Sequence, residues 1–450
     1  MDINAIIDDL LTRYHKHLDT RAILIAEDAL RQAPALLSQH LPEGTWLVGV
    51  DAHTWEAAGK DFTDALTQAG IAWERYDIAD RPGHGHPVCD DVSIAALSEH
   101  LAKNDYAATV AVGSGTINDI VKFAATEQGL LAACVGTAPS MNGYTSKIAA
   151  ILSDGVKTTN PCQAPVVVIA DLDVMATSPA RMIASGLGDL ISKPVSNADW
   201  QLSAELNGSF HSAEAMEVIE TGAAMLDGVA PKLQKGDREA MAGLLGSLML
   251  SGLAMSIAGS SSPASGGEHL ISHFIDMTAH AFDEPYDFHG CQVGVGTLTT
   301  AHFYEQLAKM DPASIDVDAR VAALSSWEDY DAMLAERFGK LHGPVRKHAE
   351  QAYPTPEELR ARLTLLKQNW STILERVQRT LRTKDSIEEE LRQADAPVRF
   401  ADLDVARDRA RRSIAHSKDI RNRYTILHLA WELGTIDTWT EQALELLYDA

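Results

Sequence analysis

Cysteine is scarce in this chain, and nothing in its spacing makes a ligand or a staple. Cys89, Cys134, Cys162 and Cys291 stand singly along 450 residues, with no Cys-x-x-Cys pair. This argues against a disulfide framework or a thiolate zinc knuckle and fits a reducing cytoplasm. Positive charge is also short: 38 Lys and Arg against 63 Asp and Glu give a formal net charge of −25. Such a molecule is repelled by polyanions, so neither nucleic acid nor an anionic membrane is an expected partner. An anionic small substrate must then be captured by local dipoles or by a metal. No unbroken apolar run reaches the roughly 18 residues of a membrane span. The N-terminal MDINAIIDDLLTRYHKH is acidic and amphipathic, without the basic and apolar regions of a signal peptide, and the protein is expected to be soluble and unexported. Repeats and low-complexity linkers are missing as well.

What is present is an ordinary globular composition, 46% apolar and 22% charged, over a length that suits two or three domains. Through residue 175, short apolar runs alternate with helical patterns: TWLVGVD (45–51), IAWERYDI (71–78), ATVAVGS (108–114), LLAACVG (130–136) and APVVVIAD (164–171). This alternation predicts an α/β layer with a parallel sheet over 1–175. Helical spacing dominates afterwards, which predicts a mostly α-helical domain over 176–450. The basic density from Arg407 to Arg423 reads as a solvated helix face.

Three segments dense in glycine and small residues carry chemistry. Asp189 in SGLGDLISK, His269 in SGGEHLISH and His289 in DFHGCQVGVG supply one carboxylate and two imidazoles, a divalent-metal ligand set that leaves a coordination position open. His269 and His273 are spaced i, i+4 and share a face if the segment is helical; buried core histidines are the competing reading. Because Glu268 precedes the first histidine, the pattern is not HExxH, which disfavours a metalloprotease. AVGSGTINDIVKFAA (111–125) reads as strand, Gly-x-Gly turn and helix, a candidate phosphate cradle that tight packing alone could also explain. It lacks the third glycine of the usual dinucleotide fingerprint and is expected to follow the third strand. Asp51 ends the expected first strand, where it can bond a ribose hydroxyl or simply cap a helix. GTAPSMNGYTSKIAA (136–150) reads as a second ligand-facing loop, and His84, His86 and Cys89 as a surface loop.

In this order, GSGTINDIVK, TAPSMNGYTS, GLGDLISKPVSNADW, SSPASGGEHLISHF and FHGCQVGVGT resemble the bacterial sn-glycerol-1-phosphate dehydrogenases, within the iron-dependent alcohol dehydrogenase, glycerol dehydrogenase and dehydroquinate synthase superfamily. The likeness is clear over about residues 20–300, and IRNRYTILHLAWELG resembles the same family's C-terminal segment. It implies a nucleotide-binding α/β domain over 1–175 and a helical metal-binding and substrate domain over 176–450, the dehydroquinate synthase-like fold. The implied activity is reversible reduction of dihydroxyacetone phosphate by NADH or NADPH, in a homodimer with one zinc, nickel or iron ion. By this resemblance Asp189, His269 and His289 are metal ligands and His273 faces the substrate. Gly113, Gly115, Thr116, Asn118 and Asp119 form the pyrophosphate turn. Thr137, Ser140 and Ser146 contact the nicotinamide half, and Asp51 lies near the adenosine ribose.

The chain departs from that family in two places. Asn142 stands where the family usually carries Asp and where a substrate hydroxyl is expected to bond; it adds an N–H₂ donor and loses a charge, which bears on the choice of substrate. Pro194 follows Lys193 in place of an aromatic residue and demands a helix start or a kink. The chain is also longer than is usual, with the extra residues expected within 310–400.

Overall fold

The computed structural model describes residues 2–82, 85–153 and 156–448. The strands are β1 (Ala22–Ala26), β2 (Trp46–Val50), β3 (Trp73–Asp77), β4 (Ala108–Gly113), β5 (Leu131–Gly136), β6 (Ile148–Ser153), β7 (Val156–Pro161) and β8 (Val167–Asp171). Seven helices carry the argument: α1 (Gly115–Glu127), α2 (Ala180–Leu190), α3 (Lys193–Asn207), α4 (Arg238–Ala258), α5 (Gly267–Phe282), α6 (His289–Lys309) and α7 (Ile426–Leu433). The chain divides into two compact units, one of residues 1–190 and 213–260, the other of 191–212 and 261–450.

In the first unit six parallel strands run in the order β1-β8-β5-β4-β2-β3. Every residue of β2, β4 and β8 is buried, as a parallel sheet covered on both faces requires. The chain passes from β2 outward to β3, then returns to β4 on β2's other side. That reversal opens a crevice at the carboxyl ends of β2 and β4, where open α/β sheets bind ligands. β6 and β7 form a separate antiparallel hairpin. The sequence reading missed this hairpin and also β1. In consequence Asp51 ends the second strand rather than the first, and the Gly-x-Gly turn follows the fourth rather than the third.

The expected boundary at 175 differs from the observed division, because residues 176–190 and 213–260 belong with the sheet. The reason lies in α4, which is apolar around its whole circumference and is buried from Ala240 to Ile257 except at Ala242. An 18-residue window in it has a mean hydropathy of 1.7, the length and apolarity of a membrane span, and 89% of that window lies inside the protein. Gly and Ser interrupt its apolar residues, so it contains no unbroken apolar run of that length.

The second unit is helical. Pro194 occupies the first turn of α3, where its missing N–H costs no hydrogen bond. The Arg407–Arg423 stretch corrects the reading of a solvated face. Arg409 and Lys418 are turned inward at 3% and 4% exposure. Arg409 donates to Ile275 O at 2.6 Å and to Thr278 Oγ1 at 3.0 Å, and it pairs with Glu284 at 2.8 Å. A buried guanidinium persists because its donors are satisfied.

Candidate functional site

In the first unit the candidate nucleotide site grows from the ends of β4 and β5. Gly113 and Gly136 are register partners there, and Thr137 N donates to Gly113 O at 3.2 Å. A Cβ on Gly113 would stand 2.5 Å from Ile117 Cβ, so this glycine is required by the close turn into α1. Gly115 faces Met141, whose Cγ would be 3.1 Å from an added Cβ. Ser114 makes no side-chain cap, which leaves the leading amides of the 13-residue α1, Gly115 and Thr116 among them, for an anion. This arrangement suits a pyrophosphate.

Residues 137–146 fold over that turn, and the bonds holding them are internal. Asn118 Nδ2 lies 3.4 Å from Gly143 O, and its Oδ1 is buried without a hydrogen-bond partner among the described residues. Asp119 Oδ2 accepts from Ala150 N at 2.9 Å, and its other oxygen pairs with Lys122 at 2.8 Å. Ser146 Oγ lies 3.1 Å from both Gly143 O and Ile148 O. Ser140 is buried, and its carbonyl accepts from Ser185 Oγ at 2.9 Å. Two helical glycines admit the loop: a Cβ on Gly186 would stand 1.7 Å from Pro139 O, and one on Gly252 2.2 Å from Thr145 Oγ1.

Sequence reasoning missed Lys122. It is 1% exposed and donates to Gly143 O at 3.0 Å. Burial lowers its pKa, but Asp119 and the neighbouring cysteines outweigh that and hold the ammonium above its ordinary value. The i, i+3 spacing from Asp119 was the available signal. Asp51 sits at the crevice on the β2 side, where Oδ1 accepts from Thr54 N at 2.7 Å in a capping box. The helix-capping use of this residue is therefore real, and its carboxylate is held in place by it.

Asn142 and Asp189 meet in this unit. Asp189 is fully buried and accepts from Asn142 N at 3.0 Å and from Asn142 Nδ2 at 3.2 Å. Asn142 Nδ2 also donates to Ser251 Oγ at 3.1 Å.

The second unit gathers three imidazoles. The i, i+4 pair His269 and His273 lies on α5, so the condition that the segment be helical is met, and His289 opens α6. Ring centres stand 5.1 Å apart for His269 and His289, 5.5 Å for His273 and His289, and 6.1 Å for His269 and His273. Two imidazoles bonded to one ion at about 2.1 Å in tetrahedral geometry have ring centres about 5 Å apart, so the His269–His289 pair fits a shared ion. His269 Nδ1 bonds Glu268 Oε1 at 2.8 Å, and His289 Nδ1 lies 3.1 Å from Ser272 Oγ. Each contact occupies the back of a ring and presents Nε2, the usual support of a metal-ligating histidine. Among the described residues no group of three or more His, Cys, Asp or Glu stands at metal-holding distances. Two of the three expected ligands belong to this unit and Asp189 to the other.

Beneath His269 lies a buried acidic pair, Glu268 and Asp199, at 0% and 1% exposure. Burial first, then the neighbouring Glu268 charge, push the Asp199 carboxyl up to about 7. The loop of His84, His86 and Cys89 also carries possible ligand types. His84 is outside the described residues, and burial pushes the Cys89 thiol well above its ordinary range, away from the thiolate a metal needs.

Residues 24–179 match the iron-containing alcohol dehydrogenase family. Among curated relatives, glycerol-1-phosphate dehydrogenase [NAD(P)+] of Bacillus subtilis is 31% identical over 390 residues, covering 86% of this chain and 85% of that one. The Bacillus licheniformis protein of that name is 30% identical over 426 residues, covering 94% and 91%. Solved structures share the fold at lower identity. Glycerol dehydrogenase of Schizosaccharomyces pombe superposes with a TM-score of 0.60 at 16% identity, covering 94% of this chain and 90% of that one. An iron-containing alcohol dehydrogenase of Thermotoga maritima gives 0.56 at 12%, covering 95% and 98%. With 85% and 91% of those two curated sequences spanned at about 30% identity, the chain belongs to the glycerol-1-phosphate dehydrogenases, oxidoreductases within the iron-containing alcohol dehydrogenase family.

Proposed function

We propose that this enzyme reversibly reduces dihydroxyacetone phosphate to sn-glycerol 1-phosphate, with NADH or NADPH and one divalent ion held by Asp189, His269 and His289. The observation that carries the reading is the His269–His289 pair, whose ring spacing suits one ion and whose Nδ1 atoms are both engaged from behind. Bound at that site, a divalent ion supplies Lewis-acid polarisation of the substrate carbonyl, and a reduced nicotinamide supplies the hydride.

The chain's own residues do the rest. The turn from Gly115 to Asp119 binds the pyrophosphate through the free leading amides of α1, those of Gly115 and Thr116 among them, and through the helix dipole, which compensates for the net charge of −25 that would otherwise repel it. Lys122 fixes the Gly143 carbonyl and with it the loop carrying Thr137, Ser140 and Ser146, which orients the nicotinamide half. Asp51 accepts from the adenosine ribose. His273 stands one helical turn from His269 and passes a proton to the developing alkoxide oxygen, a task open to an imidazole, which can both donate and accept. The related curated enzymes carry the glycerol-1-phosphate name, which supports a phosphorylated triose as substrate. Four cysteines without a disulfide support a cytoplasmic setting, and a homodimer follows from the family resemblance.

One observation favours a second reading on the same fold. Asn142 already spends its side-chain amide on Asp189 and Ser251, which alters the group offered to a substrate hydroxyl and admits another polyol, sugar or alcohol, or a dehydroquinate synthase-like cyclisation. The deciding experiment strips the metal and reconstitutes separately with zinc, nickel and iron. NADH and NADPH oxidation is then followed with dihydroxyacetone phosphate against dihydroxyacetone, and glycerol in reverse. Metal-dependent turnover confined to the phosphorylated ketone is expected. Turnover only with an unphosphorylated substrate favours the second reading.

A further inference from the structure

Two of the proposed metal ligands open or nearly open their helices: His269 is the third residue of α5 and His289 the first of α6. Two such side chains can meet one ion only if the helices hold a fixed register to within a few tenths of an ångström. A single buried carboxylate ties both. Asp199 Oδ2 accepts from Gly267 N, the first amide of α5, at 2.7 Å. Asp199 Oδ1 accepts from the Tyr304 hydroxyl of α6 at 2.6 Å and from Ile426 N, the first amide of α7, at 2.7 Å.

The turn between Asp199 and His269 has no slack. A Cβ on Gly266 would stand 2.5 Å from Asp199 Oδ2 and 2.8 Å from Glu268 Oε2, so only glycine fits. Gly266 N donates to Glu268 Oε1 at 2.7 Å, the same oxygen that holds His269 Nδ1. From the other side Arg423 donates to Ser265 O and Ser261 Oγ and so fixes the chain entering the turn. On α6 a Cβ on Gly296 would stand 2.6 Å from Glu268 O, so the two ligand helices are in close backbone contact there.

We infer that Asp199 is a positioning residue for the metal centre, setting the start of α5 in register against α6, which it grips at Tyr304 about four turns along from His289, so that His269 and His289 present Nε2 to one ion. The inference rests on the proposed role of those histidines and adds to it a residue that touches neither metal nor substrate. The acceptor count matters here, because the two oxygens of Asp199 accept three donors at once. An isosteric amide turns one acceptor into a donor and leaves at least one of Gly267 N, Ile426 N or Tyr304 OH facing an N–H₂ group.

The test is zinc affinity of the metal-free full-length protein by chelator competition, with its unfolding midpoint and the cobalt(II) absorption spectrum measured alongside. Asp199→Asn is expected to weaken zinc binding about 10–100-fold and to change the cobalt spectrum. Tyr304→Phe, which deletes one of the three donors, is expected to weaken it less, in the same direction. If Asp199→Asn does not fold, Tyr304→Phe decides by the same criterion. A lowered unfolding midpoint with wild-type zinc affinity and an unchanged cobalt spectrum overturns the inference and leaves Asp199 purely structural. His269→Ala separates the two levels. Loss of zinc in His269→Ala with full affinity in Asp199→Asn and Tyr304→Phe overturns this inference alone, while full affinity in His269→Ala overturns the ligand assignment and this inference with it.

Discussion

Asn142 donates twice to Asp189, through its backbone N–H at 3.0 Å and its side-chain amide at 3.2 Å, and so holds the carboxylate proposed as a metal ligand. A carboxylate at position 142, the residue more usual in the resembling family, would place two like charges together in a buried site. Asn142→Asp is therefore expected to destabilise the metal-free protein at pH 7 by about 1–3 kcal/mol. Protonating one acid relieves the repulsion, so the deficit should shrink as the pH falls. Denaturant midpoints at pH 7 and pH 5 check this, and an unchanged midpoint at pH 7 would count against the pairing.

His273 is assigned to proton movement and not to metal retention. His273→Asn should lower kcat by about 10²–10⁴-fold while zinc stays bound. Single-turnover rates with metal analysis of the same sample test the split. Loss of zinc from this variant would move His273 into the ligand set.

Gly186 admits the loop that carries Ser140 and Asn142. With backbone oxygen 1.7 Å from where a Cβ would be, neither side can move away cheaply. Gly186→Ala should cost about 3 kcal/mol in stability, the upper end of the overpacking range, and weaken NADH binding through displacement of the loop. Calorimetry and cofactor fluorescence titration would reveal it; a variant of wild-type stability contradicts the packing.

His416 provides a pH test in the helical unit. Burial, then the nearby Arg337, pull its pKa from the ordinary 6.5 to about 4, so the folded protein keeps this ring neutral. Since the unfolded chain binds the proton more readily, the associated stability is present above pH 6.5 and is lost as the pH falls toward 4. Between pH 7 and pH 5 the loss amounts to about 2 kcal/mol. His416→Gln should unfold with a weaker pH dependence by that amount in the metal-free state.

Much of the fold was legible because its signals are local. Burial on both faces writes β2, β4, β5 and β8 as continuous apolar runs, and the i, i+4 spacing puts His269 and His273 on one face once the segment is helical. β1 was missed because AILIA carries no turn signal of its own. The inward Arg409 was misread because a charged helix looks the same whether its partners are water or the Ile275 carbonyl.

By itself the sequence determined which residue types stand in which order: the Gly-x-Gly turn, the hydroxyl-rich loop, Asp189 and the histidines, and the alternation that makes a parallel sheet. Tertiary structure alone decided what each group spends its bonds on. It assigned residues 213–260 to the sheet unit and put Asp51 on a helix cap. It committed Asp119 to Lys122 and Asn142 to Asp189, and made Asp199, 70 residues before His269, the acceptor for that helix's first amide. The physical reason is that a buried polar group must find its partner wherever the fold brings one within hydrogen-bonding reach, and spacing along the chain carries no record of that choice.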